Sequence, residues 1–252
     1  MSLYNLEAVV LRSRNLGEAD KIITLYSRER GKVRAVARGA RRPRNRLRAG
    51  AEVCTHGQYL VFENRGLDAI SQCDIVNSHR QLREDLVKAA GGAYVLELFD
   101  VFTEEGEPKG DLFPFLLAVL QALEADADLE LVLRAVEIGL LARLGYLPEL
   151  KACVICGKSL SEATAFSVSR GGALCAACRQ NDVDAFSVTA GTLATLNYLL
   201  RTPFDQARKL RVPSDMRGEL KNITVSCIRA LLGRDINSAA FLALVQETVR
   251  KS

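Results

Sequence analysis

Two Cys-x-x-Cys pairs, Cys153/Cys156 and Cys175/Cys178, stand eighteen residues apart. Four thiolates at that spacing can close a tetrahedron around a structural zinc ion. Small or β-branched residues separate the ligands within each pair, and Gly157 follows the first pair. That pattern permits tight turns whose backbone amides point at the sulfurs. An all-cysteine set leaves no coordination position open for a substrate, so the chemistry is structural rather than catalytic. A redox dithiol and an iron–sulfur or rubredoxin-like iron site are the rivals. The flanks do not supply the strand-then-helix context of a thioredoxin-like dithiol. Lys158, Arg170 and Arg179 lie close by in sequence, and phosphate contact and plain solvation are both open to them. Cys54, Cys73 and Cys227 lack partner spacing and read as small buried hydrophobes.

The second chemically loaded stretch runs from Arg28 to Arg48. It holds Arg28, Arg30, Lys32, Arg34, Arg38, Arg41, Arg42, Arg44, Arg46 and Arg48, opposed only by Glu29. Lys32, Arg34 and Arg38 share one parity with Val36, while Val33, Ala35 and Ala37 share the other, as in a half-buried strand. From Gly39 to Gly50 the period is lost, and Pro43 and Asn45 mark a flexible loop. Arginine predominates, and its planar fork suits phosphate. The run reads as a polyanion site, with Lys32, Arg34, Arg38, Arg41, Arg42, Arg44, Arg46 and Arg48 as backbone contacts; Lys32, at the strand's start, is the weakest choice. Spare aromatics are few: Trp is missing, and Tyr4, Tyr26, Tyr59 and Phe62 are the candidates for stacking bases. Binding should therefore be led by phosphates and be largely blind to sequence. Neutralising about 6–10 phosphates would make affinity fall roughly 10³–10⁵-fold between 50 and 200 mM salt.

Other chemistry finds little support. No Walker loop, dinucleotide fingerprint or His-Glu-x-x-His occurs. His56 and His79 are the only histidines, one in a predicted strand and one at a helix start, where structural use is the ordinary expectation. Glu104, Glu105, Glu107 and Asp111 cluster without the compact spacing of a magnesium site. The chain is read as a non-enzyme.

The elements that must carry these residues change character along the chain. Leu6–Arg14, Lys21–Tyr26, the cationic strand, Glu52–Glu63 and Leu67–Val76 read as five strands split by turns, which points to a small closed barrel. By fold analogy, such barrels often receive single-stranded nucleic acid. At Ser78 the period becomes helical: Ser78-His79-Arg80-Gln81 fits a capping box ahead of a helix from Leu82 to Phe102. Gly91-Gly92 within it signals close approach by a neighbour. Asp111–Leu123 and Leu129–Leu144 follow, then the cysteine insert, where Ala165–Ser169 and Ala173–Leu174 can pair around Arg170-Gly171-Gly172. Gly191–Leu200, Met216–Leu232 and Ser238–Val249 resume the helices, which are expected to form one bundle with those before the insert.

Composition agrees with nucleic acid as the partner. Of 252 residues, 48% are apolar, enough for real cores, and the net charge of +4 hides a segregation. Residues 1–80 carry a net +7, residues 81–150 a net −9 and residues 151–252 a net +6. The acidic block is expected to keep a polyanion off one side of the protein. No export signal and no membrane-length apolar run occurs, so a soluble, cytoplasmic protein with reduced thiols is expected.

Taken in order along the chain, these residues resemble the bacterial recombination-mediator family RecO. Glu7, Leu11, Gly17-Glu18-Ala19-Asp20, Thr24-Leu25 and Gly31 resemble that family's opening. Ala37-Arg38-Gly39-Ala40-Arg41 with Leu47 resembles its basic strand and loop. Gly145-Tyr146-Leu147-Pro148, Cys153, Cys156-Gly157, Phe166-Ser167, Gly171-Gly172 and Leu174-Cys175 continue the match; the tail after Asp184 adds little. The resemblance implies an α+β multidomain protein. An N-terminal five-stranded OB-type β-barrel binds nucleic acid, and a C-terminal helical bundle carries an inserted four-cysteine zinc module. The expected boundaries are 1–78 for the barrel, 79–150 and 184–252 for the helical domain, and 151–183 for the zinc module.

The resemblance further implies binding of single- and double-stranded DNA and annealing without nucleotide hydrolysis. It implies work with RecR, and with RecF, RecA and single-strand-binding protein as possible further partners, in loading RecA on coated DNA. Arg208, Lys209, Arg211 and Lys221 are chemically suited to the acidic tail of single-strand-binding protein. The reading is a non-enzymatic strand-annealing mediator of DNA repair. A zinc-stabilised RNA-binding adaptor and a redox or metal-dependent enzyme are the alternatives kept open.

Overall fold

The structure, a computed structural model, describes residues 2–125, 128–160 and 165–251. The chain divides into two compact units, Met1–Asp126 with Ile236–Ser252, and Ala127–Asp235.

In the first unit, five strands close a barrel in the order β1-β2-β3-β5-β4, the arrangement of an OB-like fold. They are β1 (Leu3–Leu16), β2 (Asp20–Ser27), β3 (Gly31–Ala37), β4 (His56–Phe62) and β5 (Asp68–Asn77). β1 is long enough to pair with β4 through its first half and with β2 through its second, with a bulge between Val10 and Arg12. Closure comes from a short parallel contact of Ala35–Val36 with Asp68–Ala69. Alternation sends Leu6, Ala8, Val10, Ile23, Leu25 and Val61 inward. Small residues at Ala35, Ala37, Ala40 and Ala51 leave room for the buried Tyr59, whose hydroxyl donates to the Gly50 carbonyl at 2.8 Å. The fourth strand starts later than its sequence pattern predicts. A short helix α1 (Leu47–Gly50) is followed by a turn that places Cys54 at φ +66°. Glu52–Thr55 therefore joins no ladder, although Cys54 and Thr55 still exchange backbone hydrogen bonds with Val10.

The expected capping box does not form. Asn77 Oδ1 takes the amide of His79, whose φ is +44°, and the first helical turn α2 (Gln81–Glu84) has no side-chain cap. Asp85 interrupts the helix and caps the next one, α3 (Leu86–Phe102), by accepting from the Lys88 amide at 2.9 Å. Gly91 and Gly92 lie in α3 without breaking it, and the Cys54 sulfur lies at ordinary contact distance, 3.8 Å, from where a Gly92 side chain would start. α4 (Leu112–Ala125) follows, and α3 covers the outer face of β1 and β2, with Phe99 against Tyr26 at 6.2 Å between ring centroids.

The second unit begins with α5 (Leu129–Arg143). A cysteine hairpin of β6 (Ala165–Ser167) and β7 (Gly172–Leu174) comes next, followed by a short α6 (Ala176–Arg179). Then come α7 (Ala190–Arg201), α8 (Phe204–Ala207) and α9 (Ser214–Leu232), which Gly233 ends at φ +65°. α5, α7 and α9 pack on one another, and Phe166 and Ala173 of the hairpin belong to the same core as Leu131, Ile138, Leu196 and Ile223. In this division, α3 and α4 fall in the first unit and α5 and α7–α9 in the second. The last helix, α10 (Asn237–Lys251), packs on α3 in the first unit. Glu97 of α3 fixes that contact by accepting from the amides and side chains of Asn237 and Ser238 at 2.6–3.0 Å.

Candidate nucleic-acid interface and metal centre

The parity of β3 holds: Val33, Ala35 and Ala37 face the barrel core, and the cations face out. Once outside, the first two cations meet carboxylates. Lys32 Nζ donates to the Asp100 carbonyl at 2.6 Å and lies 3.5 Å from Asp100 Oδ1, while Arg12 Nε approaches Asp100 Oδ2 at 3.1 Å. The side chains of Lys32 and Asp100 are only 15% and 11% exposed, so Lys32 is committed to tethering the barrel to α3. Arg34 Nε meets Glu105 Oε1 at 2.5 Å, with both side chains about half exposed. The acidic segment after α3 lies along the edge of β3, where Gly106 N donates to the Lys32 carbonyl at 3.1 Å. Gly31, at φ +60°, makes room for it: a Cβ there would lie 2.2 Å from the Glu107 carbonyl oxygen. The acidic block does cover cationic surface, at the start of β3.

Beyond Ala37 the arrangement reverses. The segment expected as a flexible loop is a chain of hydrogen-bonded turns. Gly39 N donates to Asp20 Oδ1 (2.7 Å) and Arg41 N to the Ala19 carbonyl (2.9 Å). Asn45 ties the turn across, donating from Nδ2 to the Arg38 carbonyl (3.1 Å) and accepting the Leu47 amide (2.7 Å). Ala40 and Leu47 pack against the barrel core, so the arginines between them are turned outward. Arg38, Arg41, Arg42, Arg44, Arg46 and Arg48 are all exposed. Arg41 Nη1 donates to the Gly17 carbonyl at 2.5 Å. The side chains of Arg38, Arg42, Arg44, Arg46 and Arg48 have no hydrogen-bond or ion-pair partner among the described residues. The nearby Glu52 carboxylate is taken by Lys21 at 2.7 Å. A groove of about 590 Å³ runs between Arg38, Asn45 and Arg46 on one side and Ser71, Gln72 and Asp74 of β5 on the other.

Two of the aromatic candidates are out of reach of a base. Tyr59 fills the barrel and Tyr26 is buried under Phe99. Phe62 is half-buried. Tyr4 is half-buried too, with its hydroxyl bonded to Asp68 and the Arg30 guanidinium 3.7 Å above its ring. That stack was not legible from spacing, because its partners are twenty-six positions apart in sequence. Both histidines are built into the fold. His56 Nε2 lies 3.0 Å from Glu7, whose carboxyl is held low first by Arg28. His79, buried beside Glu124 at 2.9 Å, is held below its ordinary pKa by desolvation.

In the second unit, the ligand atoms of Cys153, Cys156, Cys175 and Cys178 all lie within 4.8 Å of one another, and the Cys156 and Cys175 sulfurs are 3.8 Å apart. A tetrahedron with Zn–S of about 2.3 Å has edges of about 3.8 Å, so the set fits such a metal. Each pair sits in a tight turn: Gly157, at φ +71°, donates its amide to the Cys153 carbonyl, and Cys178 N donates to the Cys175 carbonyl. Burial alone would raise the Cys153 thiol, but amides of Cys175, Cys156 and Ile155 directed at it outweigh burial and bring it down to about 6. Cys178 is pushed up to about 12, first by its hydrogen bond with Cys175. Four sulfurs this close retain a proton unless a cation takes its place, which is the chemistry of a metal-ligating set. Cys54, Cys73 and Cys227 are different: burial raises their thiols to about 12, 11 and 11, as inert packing residues.

Comparison with known proteins now bears on this geometry. The family model described as recombination protein O N terminal matches residues 1–79, and the one described as recombination protein O C terminal matches residues 83–240. This chain belongs to the RecO family. Among curated RecO proteins, "DNA repair protein RecO" of Pelotomaculum thermopropionicum is 40% identical over 242 residues, covering 96% of this chain and 94% of its own length. The protein of the same name in Symbiobacterium thermophilum is also 40% identical, over 246 residues covering 96% and 97%. The two RecO models meet where the barrel gives way to helices. The second takes in the cysteine hairpin together with α5, α7 and α9. No helix among the described residues is long and apolar enough to cross a membrane.

Proposed function

We propose that this chain is a DNA-binding, strand-annealing mediator of recombinational repair that works without chemistry of its own. The observation that carries the proposal is the set of outward arginines at Arg38, Arg42, Arg44, Arg46 and Arg48, unpaired among the described residues, on a turn fixed by its backbone and by Asn45 and Asp20. Fixed cations with no internal counter-ion bind a polyanion without first giving up a partner, and they gain the entropy of released counterions. Their targets are phosphates, so single- and double-stranded DNA both qualify, and bases stay available for pairing. Screening of repulsion between two strands then speeds annealing without nucleotide hydrolysis. Membership of the RecO family supports the repair context. The family resemblance supports action with RecR to bring RecA onto DNA coated by single-strand-binding protein, with RecF as a further partner. The cytoplasm, at the nucleoid, is the corresponding location.

Cys153, Cys156, Cys175 and Cys178 would hold Zn²⁺. The ion supplies cross-linking of the hairpin to the turn that precedes it and no reactive position. The test is annealing of complementary labelled strands in the absence of nucleotide, by the intact protein and by the R42A/R44A/R46A variant. Acceleration by the first and its loss in the second is the expected result. Equal rates would sink the assignment. Competition between DNA and RNA of matched sequence separates this reading from an RNA-binding adaptor.

A further inference from the structure

Gly31 and Ala37, the ends of β3, are six steps apart, about 20 Å at 3.3 Å per residue. The arginine turn stands at one end. At the other, a cleft of about 470 Å³ is lined by Tyr4, Arg30, Arg34, Asp68, Glu105 and Gly106. Arg34 carries the outward parity of the strand and Arg38 opens the turn just past its end, so a chain of phosphates leaving the turn along β3 reaches Arg34 next and the cleft after it. We propose that this cleft is a second contact point on the same nucleic-acid track, closed in the free protein by Glu105 and opened by a strand long enough to reach it. The inference rests on the nucleic-acid reading of the arginine turn.

Three independent features of the cleft support it. The first is a stacking platform. The Arg30 guanidinium lies over the Tyr4 ring at 3.7 Å, and the hydrogen bond to Asp68 holds that ring in place. Arg30 is exposed, and a guanidinium plane braced on an aromatic ring is a surface on which an unpaired base can stack. The second is that the ion pair there is easily exchanged. Arg34 and Glu105 are 54% and 52% exposed, and pairs of that kind hold weakly. A phosphate can therefore take the place of the carboxylate at little cost. Lys32, tied to Asp100 in a shielded site, does not exchange on the same terms. The third is that the carboxylate is delivered by built geometry: the Glu105 segment bridges to Gly31 and Lys32, and only a glycine at position 31 admits the Glu107 carbonyl.

In this arrangement short strands occupy the arginine turn alone, while longer ones also displace Glu105 and stack a base on Arg30. The test is binding of labelled single strands of about 4 and about 16 nucleotides to the intact protein across about 50–200 mM salt. For the long strand, Glu105→Gln is expected to tighten binding several-fold, and Arg34→Gln to weaken it and lower the salt slope by about 0.7. For the short strand both should be silent. Glu104→Gln, which removes the same charge from the same segment, should do less than Glu105→Gln, and in an Arg34→Gln background Glu105→Gln should have no effect. Arg30→Gln should weaken long-strand binding with a larger loss than its single charge explains. The proposal is overturned if Glu105→Gln acts equally on both lengths, equals Glu104→Gln, or persists without Arg34. If R42A/R44A/R46A leaves both strands bound as before, the nucleic-acid reading of the turn has itself failed, which is a different result.

Discussion

The arginine turn and the cysteine module are both irregular backbone, yet they are made ready in opposite ways. The turn is complete before any ligand arrives: Asp20, the Ala19 carbonyl and Asn45 fix its path, and Ala40 and Leu47 anchor it in the barrel. Of its arginine side chains only Arg41, which donates to the Gly17 carbonyl, takes part in holding that path among the described residues. The cysteine module has the converse design. Its turns bring four sulfurs together, but the sulfurs are mutually unfavourable as thiolates until a cation joins them. On the proposed function, one region binds through a prepared surface, and the other is finished by the metal it would hold. Substitution should therefore separate function from folding in the first and couple them in the second.

The largest expected effect is in the module. Cys156→Ser leaves three sulfurs, and if the module holds a structural metal as proposed, the variant should lose it on purification. Because Phe166 and Ala173 of the hairpin share the core of α5, α7 and α9, the loss should reach the whole second unit. A cost above about 4 kcal/mol, the range in which loss of a structural metal falls, is expected. Metal analysis with thermal melting checks it. A chelated or substituted protein that melts as before would break the contrast.

Next comes R42A/R44A/R46A. Three fewer neutralised phosphates should lower the salt slope for single strands by about 2. Melting should stay within about 0.5 kcal/mol, since these side chains are exposed and unpaired among the described residues. Arg41, which donates to the Gly17 carbonyl, is better left in place for this test. A large loss of stability would mean that the arginines build the turn as well as decorate it.

A smaller effect separates the frame of the turn from its charges. Gly39 sits at φ +67°, and a Cβ there would lie 2.4 Å from Asn45 Nδ2. Gly39→Ala should cost about 1–2 kcal/mol and weaken DNA binding by spreading the arginines, with the salt slope nearly intact. An altered slope with normal melting would say that phosphate contacts, not the frame, had changed.

These contrasts also show what the sequence could and could not reveal. Barrel, helices and sulfur cluster were legible because period, turn residues and Cys-x-x-Cys spacing are local signals. The outward parity of Arg34 and the inward parity of Ala35 followed from alternation alone. What escaped depended on partners distant in the chain. Lys32 looked like its neighbours until Asp100 claimed it, and Tyr26 looked available until Phe99 covered it. The helix start was assigned to Ser78, because a capping box is read from residue types, while the cap that formed uses Asp85. α10 carries an ordinary helical period, and nothing in that period tells that Glu97 of α3 will hold its first residues.

The smallest effect tests how much of the second unit is held by its own ion pairs rather than by the proposed metal. Asp128 accepts two hydrogen bonds from Arg217, at 2.8 and 2.6 Å, and caps α5 through the Leu131 amide; Glu130 lies 3.7 Å from the same guanidinium. Arg217, first of all, holds the Asp128 carboxyl below its ordinary value of 3.8. A carboxyl lowered in the folded state stabilises fully above that ordinary value, and the contribution fades as pH falls through the folded one. Both groups are partly exposed, so the pair is worth under about 1 kcal/mol. Arg217→Gln should therefore melt slightly below the parent near neutrality, with the gap closing in acid. The cap to Leu131 remains in the variant, which keeps the loss small. If the gap instead matched the loss in Cys156→Ser, the ion pair and not the sulfur cluster would be the tie on which the unit depends, and the contrast between the two regions would fail.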